Sequence, residues 1–225
     1  MEPAADPDYW RRRWEEGRIG FHEGRVNAEL QEFWPALDLE PGSRVLVPLC
    51  GKAHDLRWLA ERGHRVVGVE CSERAVAEFF GEQGLVPERS RCGPFRVWDA
   101  DGLRILEGDF FALEAEPEGP AFDAWWDRAA VVALPEATRG RYVERLATLL
   151  RPGARGLALV LERPDEPGQG PPFSVDADEM RTRFAPPLFT PPRELLRREG
   201  GGPPAEDGRA PRREEVVWRL ERARA

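Results

Sequence analysis

The fold class follows from two stretches, Arg44-Val45-Leu46-Val47-Pro48-Leu49-Cys50-Gly51-Lys52 and Gly63-His64-Arg65-Val66-Val67-Gly68-Val69-Glu70. Each holds a short apolar run rich in valine and bounded by turn residues, which predicts a buried strand. Residues 53–62 between them predict a helix. The spacing from Gly51 to Glu70 is typical of a βαβ unit in which the carboxylate ending the second strand reaches a ribose beside the first turn. We therefore expect a cofactor that carries a nucleoside.

Strands and helices alternate along the rest of the chain, which predicts an α/β fold with an open, mostly parallel sheet. Asp99 to Gly102 predicts a hairpin turn between two short arms, 95–98 and 103–107. Further strands are predicted at 122–126, 156–162, 194–198 and 215–220. Further helices are predicted at 9–20, 27–37, 74–83 after the cap Ser72, 135–150 and 176–184.

Four residues are predicted to meet at the carboxyl ends of the first four parallel strands: Gly51, Glu70, Asp109 and Arg128. Ligands of open α/β sheets bind there, at the point where the strand order reverses. A nicotinamide or flavin cofactor would need a G-x-G-x-x-G turn for its pyrophosphate, and this turn has one glycine. A cofactor without pyrophosphate, such as S-adenosylmethionine, fits better. Many α/β domains end strands with Gly and Glu, so a purely structural interpretation stays open at this point.

Composition bounds the class of protein. The chain has 225 residues and a net charge of −8, which predicts one domain and argues against a general binder of nucleic acid. The longest apolar run, 156–161, is too short to span a membrane, and the first residues do not resemble a signal peptide. Three cysteines, an odd and sparse set, fit reduced thiols in a cytoplasmic protein.

Several motifs resemble the thiopurine S-methyltransferase family, bacterial branch. They run in order over about residues 9–173: Trp10-x-x-x-Trp14-x-x-Gly17-x-Ile19-Gly20-Phe21-His22, Val26-Asn27-x-x-Leu30, the Pro48-Leu49-Cys50-Gly51-Lys52 turn, Gly63 to Ser72, Gly108-Asp109-Phe110-Phe111, Trp126-Asp127-Arg128-Ala129-Ala130 and Gly170-Pro171-Pro172-Phe173.

This resemblance implies a class I, Rossmann-like methyltransferase: a three-layer sandwich around a mostly parallel seven-stranded sheet with strand order 3-2-1-4-5-7-6 and an antiparallel last strand. It implies a single domain over 1–225, with an N-terminal helical lid at 1–40 and substrate-side loops at 164–213. The implied cofactor is S-adenosylmethionine, and we expect a monomer that binds neither nucleic acid nor membrane.

Site residues are carried over from the family by motif. Trp10, Trp14 and Phe21 would wall the cofactor, and Leu49 and Gly51 would lie under its methionine part. Glu70 would hold the ribose hydroxyls, with Asp109 and Phe110 at the adenine. Arg128 would lie near both the methyl donor and the acceptor, and the substrate side would also include Phe21, Pro172 and Phe173. Arg128 and His22 are the candidate catalytic residues.

Each role has a structural alternative. The tryptophans could be core residues, Asp109 a capping residue, Arg128 an ion-pair partner of Asp127, and His22 a structural histidine rather than a general base. Cys50 and His54 suggest a nucleophile or a metal pair, but no base and no further ligands are visible, so packing is favoured and no metal is predicted. His54 and His64 are expected to be structural.

Three functions remain open. The first is S-methylation of thiopurines or other aromatic and heterocyclic thiols. The second is methylation of inorganic selenium, tellurium, sulfide or halide, and the third is a non-catalytic nucleotide-binding regulatory domain. The stretch 200–213 departs from the family pattern, so the second substrate-side arginine stays open among Arg209, Arg212 and Arg213.

Overall fold

Nine strands form one mixed sheet in the computed structural model, which describes residues 3–114, 121–128, 130–166, 168–199 and 212–224. The sheet order is β3-β4-β5-β2-β1-β6-β7-β9-β8. The strands are β1 Arg44–Pro48, β2 Arg65–Glu70, β3 Glu88–Cys92, β4 Phe95–Ala100, β5 Leu103–Glu107, β6 Phe122–Arg128, β7 Leu150–Glu162, β8 Arg193–Glu199 and β9 Glu214–Glu221.

Seven of these strands reproduce the predicted order. From β5 to β8 the sequence β5-β2-β1-β6-β7-β9-β8 corresponds to 3-2-1-4-5-7-6. Strands β5, β2, β1, β6 and β7 pair in parallel, whereas β9 runs antiparallel to both β7 and β8. The class I architecture is confirmed, with the antiparallel strand β9 between β7 and β8.

The sheet has two strands more than the seven that the resemblance implies, because the hairpin β3–β4 extends it beyond β5; β4 contains the predicted arm 95–98. The two-residue turn Asp101-Gly102 that joins β4 to β5 has positive φ at both positions, as a type I′ turn requires. The predicted hairpin turn is confirmed. Strand β3 was not predicted because all five of its residues are exposed, so it carries no apolar alternation.

Helices cover both faces of the sheet and produce the three layers. Successive residues of β1 alternate between the two cores: Val45 and Val47 pack with α2, α3 and α4, whereas Leu46 packs with α5, α6 and α7. The helices are α1 Pro7–Glu15, α2 Ala28–Phe33, α3 Asp55–Glu61, α4 Glu73–Glu82, α5 Ala130–Ala133, α6 Glu136–Leu149 and α7 Ala177–Arg183.

The predicted helix 27–37 divides in two. Helix α2 ends at Phe33, and a 3-10 helix, Trp34–Leu37, continues the chain. Pro35 has no N–H to continue the α-helical ladder, which explains the change. The predicted helix 9–20 ends earlier, at Glu15. No helix within the described ranges is long and apolar enough to cross a membrane.

Candidate active site

A cavity of about 470 Å³ opens at the carboxyl ends of β1, β2, β5 and β6, where the strand order reverses. Eleven of the twelve residues predicted for the site line it: Trp10, Trp14, Phe21, His22, Leu49, Gly51, Glu70, Asp109, Phe110, Arg128 and Pro172. Phe173 does not line it. Its backbone N–H donates to the carbonyl of Val132, and its ring faces the Arg139 guanidinium 6.0 Å away.

The turn after β1 forms the floor of the cavity. Leu49 and Gly51 both have positive φ, at 48° and 53°. A Cβ at Gly51 would lie 3.0 Å from the Trp14 indole, so the glycine allows this close approach. Lys52, with 9% of its side chain exposed, holds the turn against α4 through Glu78 at 2.8 Å and Glu82 at 2.6 Å.

Glu70 ends β2 with its carboxylate buried in the wall, and the residue is only 5% exposed. Its Oε2 accepts the Gly51 N–H at 2.9 Å, and its Oε1 accepts the Ser72 N–H at 2.8 Å. Burial raises the pKa of Glu70, and these backbone donors oppose the increase. The Cys71 thiol also donates to Oε1, at 3.4 Å, so a further lone pair for a hydroxyl donor remains on Oε2.

Aromatic rings of α1 and the segment after it form a second wall. Phe21 makes edge-to-face contacts with Trp10 and Trp14, at centroid distances of 5.8 and 5.7 Å. Helix α1 is attached to the end of β2, because Arg11 donates to the Cys71 carbonyl at 3.0 Å. The tryptophans are therefore wall residues of the cavity, and Trp14 is also buried.

Asp109 and Phe110 follow β5 at the same edge. The Asp109 carboxylate accepts the Phe111 N–H at 3.0 Å and caps a 3-10 helix, Phe110–Ala112. Phe110 is buried against Tyr142. The capping alternative for Asp109 is thus present in the structure, together with its place on the cavity wall.

Arg128 joins the cavity wall to the N-terminal segment. Its guanidinium pairs with Glu23 at 2.6 Å and donates to the Phe21 carbonyl at 3.1 Å. The alternative ion pair with Asp127 is wrong. Asp127 is fully buried and accepts from the Tyr142 hydroxyl at 2.6 Å and the Ala130 N–H at 2.9 Å. Burial raises the pKa of Asp127 to about 6.

Comparison with known proteins identifies the family of this chain. A family model described as thiopurine S-methyltransferase matches residues 5–191. A thiopurine S-methyltransferase of Pseudomonas putida is 51% identical over 185 residues, which are 82% of this chain and 83% of that protein. The chain belongs to the thiopurine S-methyltransferase family.

Solved structures of more distant methyltransferases share the fold of this family member. The 1,6-didemethyltoxoflavin-N1-methyltransferase of Burkholderia thailandensis, solved with S-adenosylhomocysteine, has a TM-score of 0.64 at 18% identity and covers 96% of this chain and 87% of its own. The magnesium protoporphyrin IX methyltransferase of Synechocystis PCC 6803, solved with S-adenosylmethionine, has a TM-score of 0.64 at 14% identity and covers 99% and 98%.

The methyltransferase cavity fits S-adenosylmethionine, the cofactor of the family. A buried carboxylate, Glu70, offers acceptor positions for hydroxyl groups. Gly51 has no Cβ, which lets the Trp14 indole approach the floor of the cavity closely. Aromatic faces on the opposite wall suit a sulfonium. The single-glycine turn correctly pointed to a cofactor without pyrophosphate.

His22 lies on the wall beside a second histidine. The His22 and His54 rings are nearly parallel, at 22° with centroids 6.2 Å apart. Burial is the main cause that lowers the pKa of His22, followed by the charge of Lys52. His64 is different: its Nε2 accepts from the Trp34 indole at 3.2 Å in the core. Cys50 is buried, and burial raises its pKa well above the usual range, which agrees with packing.

Several wall residues of this family member were not predicted. Glu23 pairs with Arg128, and buried Asp55 accepts the Asn27 N–H and the Trp126 indole, each at 2.8 Å. No local motif marks Glu23 or Asp55, because their partners come from other elements. Of the three candidate arginines, Arg213 lines the cavity and pairs with Glu166 at 3.1 Å. Arg212 instead is exposed beside Asp165, and Arg209 lies outside the described residues.

Proposed function

We propose that this S-adenosylmethionine-dependent methyltransferase moves the methyl group to the sulfur of thiopurines or other aromatic and heterocyclic thiols. One observation carries the proposal: a single cavity is lined by the Glu70 carboxylate, by the Trp10 and Phe21 rings, and by the Arg128 guanidinium. The carboxylate and the aromatic rings suit the cofactor. The aromatic rings and the guanidinium suit a flat, electron-rich acceptor.

The cofactor side rests on Glu70, Gly51, Leu49, Asp109 and Phe110. S-adenosylmethionine, when bound, supplies an electrophilic methyl group on a sulfonium. We assign the Glu70 carboxylate to the ribose hydroxyls, because two backbone N–H groups fix it and its Oε2 has a further lone pair. Asp109 and Phe110 follow β5 on the same cavity wall and are assigned to the adenine.

The aromatic wall has two roles in this proposal. Trp10, Trp14 and Phe21 attract the sulfonium through their ring faces, by about 0.5–2 kcal/mol. They also exclude water from the reacting centre. Their position on α1 and the segment after it supports a lid at residues 1–40, and the wall residues Pro172 and Arg213 support substrate-side loops at 164–213 within one domain, 1–225.

The acceptor side rests on Arg128 and His22. The Glu23 carboxylate and the Phe21 carbonyl hold the Arg128 guanidinium, which can orient an anionic or electron-rich acceptor. Arg213 is the second candidate arginine, because it lines the same cavity. His22 is a neutral base near neutral pH, since burial lowers its pKa. Alignment of the acceptor with the methyl donor supplies much of the rate enhancement of methyl transfer.

Loss of either acceptor-side residue should reduce activity without abolishing it, because a thiolate is already a strong nucleophile. We expect Arg128→Met to lower kcat/KM for an aromatic thiol about 10- to 100-fold, as for a lost charged hydrogen bond. Steady-state kinetics with calorimetric titration of S-adenosylhomocysteine measures this. Arg104→Met, which removes a surface partner of Asp99, is the matched control. Complete inactivity of Arg128→Met with intact cofactor binding contradicts the assignment.

An acceptor panel tests the proposed function. Purified enzyme with methyl-labelled cofactor is offered a thiopurine, other aromatic thiols, sulfide and selenide, and labelled products are counted. We expect the aromatic thiols to have the highest kcat/KM. Preference for the inorganic acceptors would favour the second function. The non-catalytic hypothesis is set aside, because the chain belongs to an enzyme family.

Location and assembly are further proposals. Cys50, Cys71 and Cys92 are free thiols, which supports the cytoplasm as the compartment. A monomer is proposed because the sequence pattern demands no partner.

A further inference from the structure

Three proton-binding side chains meet at the edge of the cavity: His22, His54 and Glu82. One nitrogen of each imidazole and one Glu82 oxygen lie within 4.8 Å of one another. His22 lines the cavity, His54 precedes α3 and Glu82 ends α4. Two atoms at this distance can share one bridging water, since two hydrogen bonds of about 2.8 Å at a tetrahedral angle span it.

The cluster leads from the cavity to solvent. His22 and His54 are half-buried, whereas the Glu82 side chain is 42% exposed. Lys52 fixes the Glu82 carboxylate at 2.6 Å, and the Gln83 side-chain amide lies 3.4 Å from His54 Nδ1. Two of the three groups are therefore held in place by neighbours, and the third is on the cavity wall.

We propose that His54 and Glu82 carry the acceptor's proton from His22 to solvent. Both are positioning residues that act through His22, and the inference rests on the proposed thiol methylation. The acceptor sulfur forms a bond to the methyl carbon, and the bond from that carbon to the sulfonium breaks with its electron pair left on the departing sulfur. The thiol proton goes to His22, then through His54 and Glu82 to water, so one proton is released per turnover.

The charges around His22 suit this role. Lys52 from the β1 turn, Arg128 from the end of β6 and the neighbouring His54 each disfavour the imidazolium, whereas Glu82 favours it. Burial acts in the same direction as the three disfavouring groups and is the largest cause of the lowered pKa. These groups therefore disfavour the imidazolium form of His22, and the neighbouring His54 and Glu82 offer a route for its proton to water.

A metal site is the other use of two imidazoles and a carboxylate. Lys52 argues against it here, because its ammonium already neutralises Glu82 at 2.6 Å and would repel a divalent cation beside that carboxylate. The Gln83 amide lies 3.4 Å from His54 Nδ1, which leaves the other ring nitrogen of His54 without a hydrogen-bond partner in the described part of the chain.

This proton relay through His22, His54 and Glu82 makes a prediction: variants of His54 and Glu82 should lose more kcat/KM with a basic thiol than with an acidic one. Two thiols are compared at pH 7: one with a pKa above about 8.5, which must lose its proton on the enzyme, and an acidic heteroaromatic thiol that is already ionised. The measured quantity is the ratio of their kcat/KM values, basic over acidic. We expect His54→Gln to lower this ratio about tenfold, which is a modest share of acid–base catalysis.

The matched variants Glu82→Gln and Glu78→Gln distinguish loss of the relay from loss of an ion pair with Lys52. Both remove one carboxylate partner of Lys52, but only Glu82 belongs to the cluster. We expect a lower ratio for Glu82→Gln and an unchanged ratio for Glu78→Gln. An unchanged ratio in both His54→Gln and Glu82→Gln overturns the relay, even if His54→Gln is slow for structural reasons. Wild-type enzyme that methylates neither thiol overturns the proposed function itself.

Discussion

Glu70→Ala should raise the Kd for S-adenosylhomocysteine about 100-fold. The variant removes a buried carboxylate that we assign to two ribose hydroxyls, and hydrogen bonds to a charged group contribute about 1.5–3 kcal/mol each. A loss of about 3 kcal/mol corresponds to about two factors of ten in affinity. Calorimetric titration of the parent and the variant measures it. Glu70→Gln keeps one acceptor oxygen and the side-chain shape, so we expect an intermediate loss of about tenfold.

The control for Glu70 is Glu107→Gln. Glu107 is also a buried glutamate at the end of a strand, but it accepts from the Trp98 indole at 3.0 Å and pairs with Arg96. We expect the Kd of Glu107→Gln for S-adenosylhomocysteine to stay near that of the parent. Because Glu70 also accepts two backbone N–H groups, thermal unfolding of each variant shows whether the turn survives. Parent-like binding by a folded Glu70→Ala variant would remove the ribose assignment.

Asp127→Asn should change the pH dependence of stability by about 3 kcal/mol. Burial raises the pKa of Asp127 from 3.8 to about 6 in the folded state, a difference worth about 3 kcal/mol at 1.36 kcal/mol per pH unit. The folded state then binds the proton more tightly than the unfolded state. This contribution to stability is complete below pH 3.8 and is lost as pH rises through about 6, when the buried carboxylate ionises.

Urea unfolding of wild type and Asp127→Asn at pH 4 to 7.5 measures the effect. The asparagine does not titrate, so wild type should lose about 2.4 kcal/mol relative to the variant across this range. Tyr142→Phe removes the hydroxyl that stabilises the carboxylate at 2.6 Å, so it should cost about 1–3 kcal/mol at pH 7. Curves for wild type and Asp127→Asn that stay parallel from pH 4 to 7.5 would show that Asp127 does not titrate in this window.

Much of the sheet could be predicted because its strands are buried. The predicted strand 103–107 agrees with β5 residue by residue, and β1 and β2 lie within the two stretches that predicted buried strands, since each strand is mostly apolar between turn residues. Strand β3, Glu-Arg-Ser-Arg-Cys, has no such signal. It is a strand because β4 offers it a hydrogen-bonding edge, and no local pattern carries that information.

The site could be predicted where chain topology alone places a residue. Glu70, Asp109 and Arg128 end or follow parallel strands, and such ends meet at one edge of the sheet. The Arg128–Glu23 pair joins residues 105 positions apart, and its geometry depends on how the N-terminal segment folds over the sheet. Phe173 does not line the cavity for a similar reason, since its ring lies near Arg139, a residue of a helix distant in sequence.

Lys52 is the only lysine in the chain. Because Lys52 is buried, the reactivity of its amine reports on a single loop, the turn after β1. Burial alone would lower the pKa of Lys52, but its hydrogen bonds to Glu78 and Glu82 outweigh burial and raise it, so the amine stays protonated and unreactive. Acylating reagents therefore meet one side-chain amine in this protein, and its ion pairs with Glu78 and Glu82 protect it. The rate at which that amine is acylated would report how firmly these ion pairs hold the turn against α4, without any engineered label.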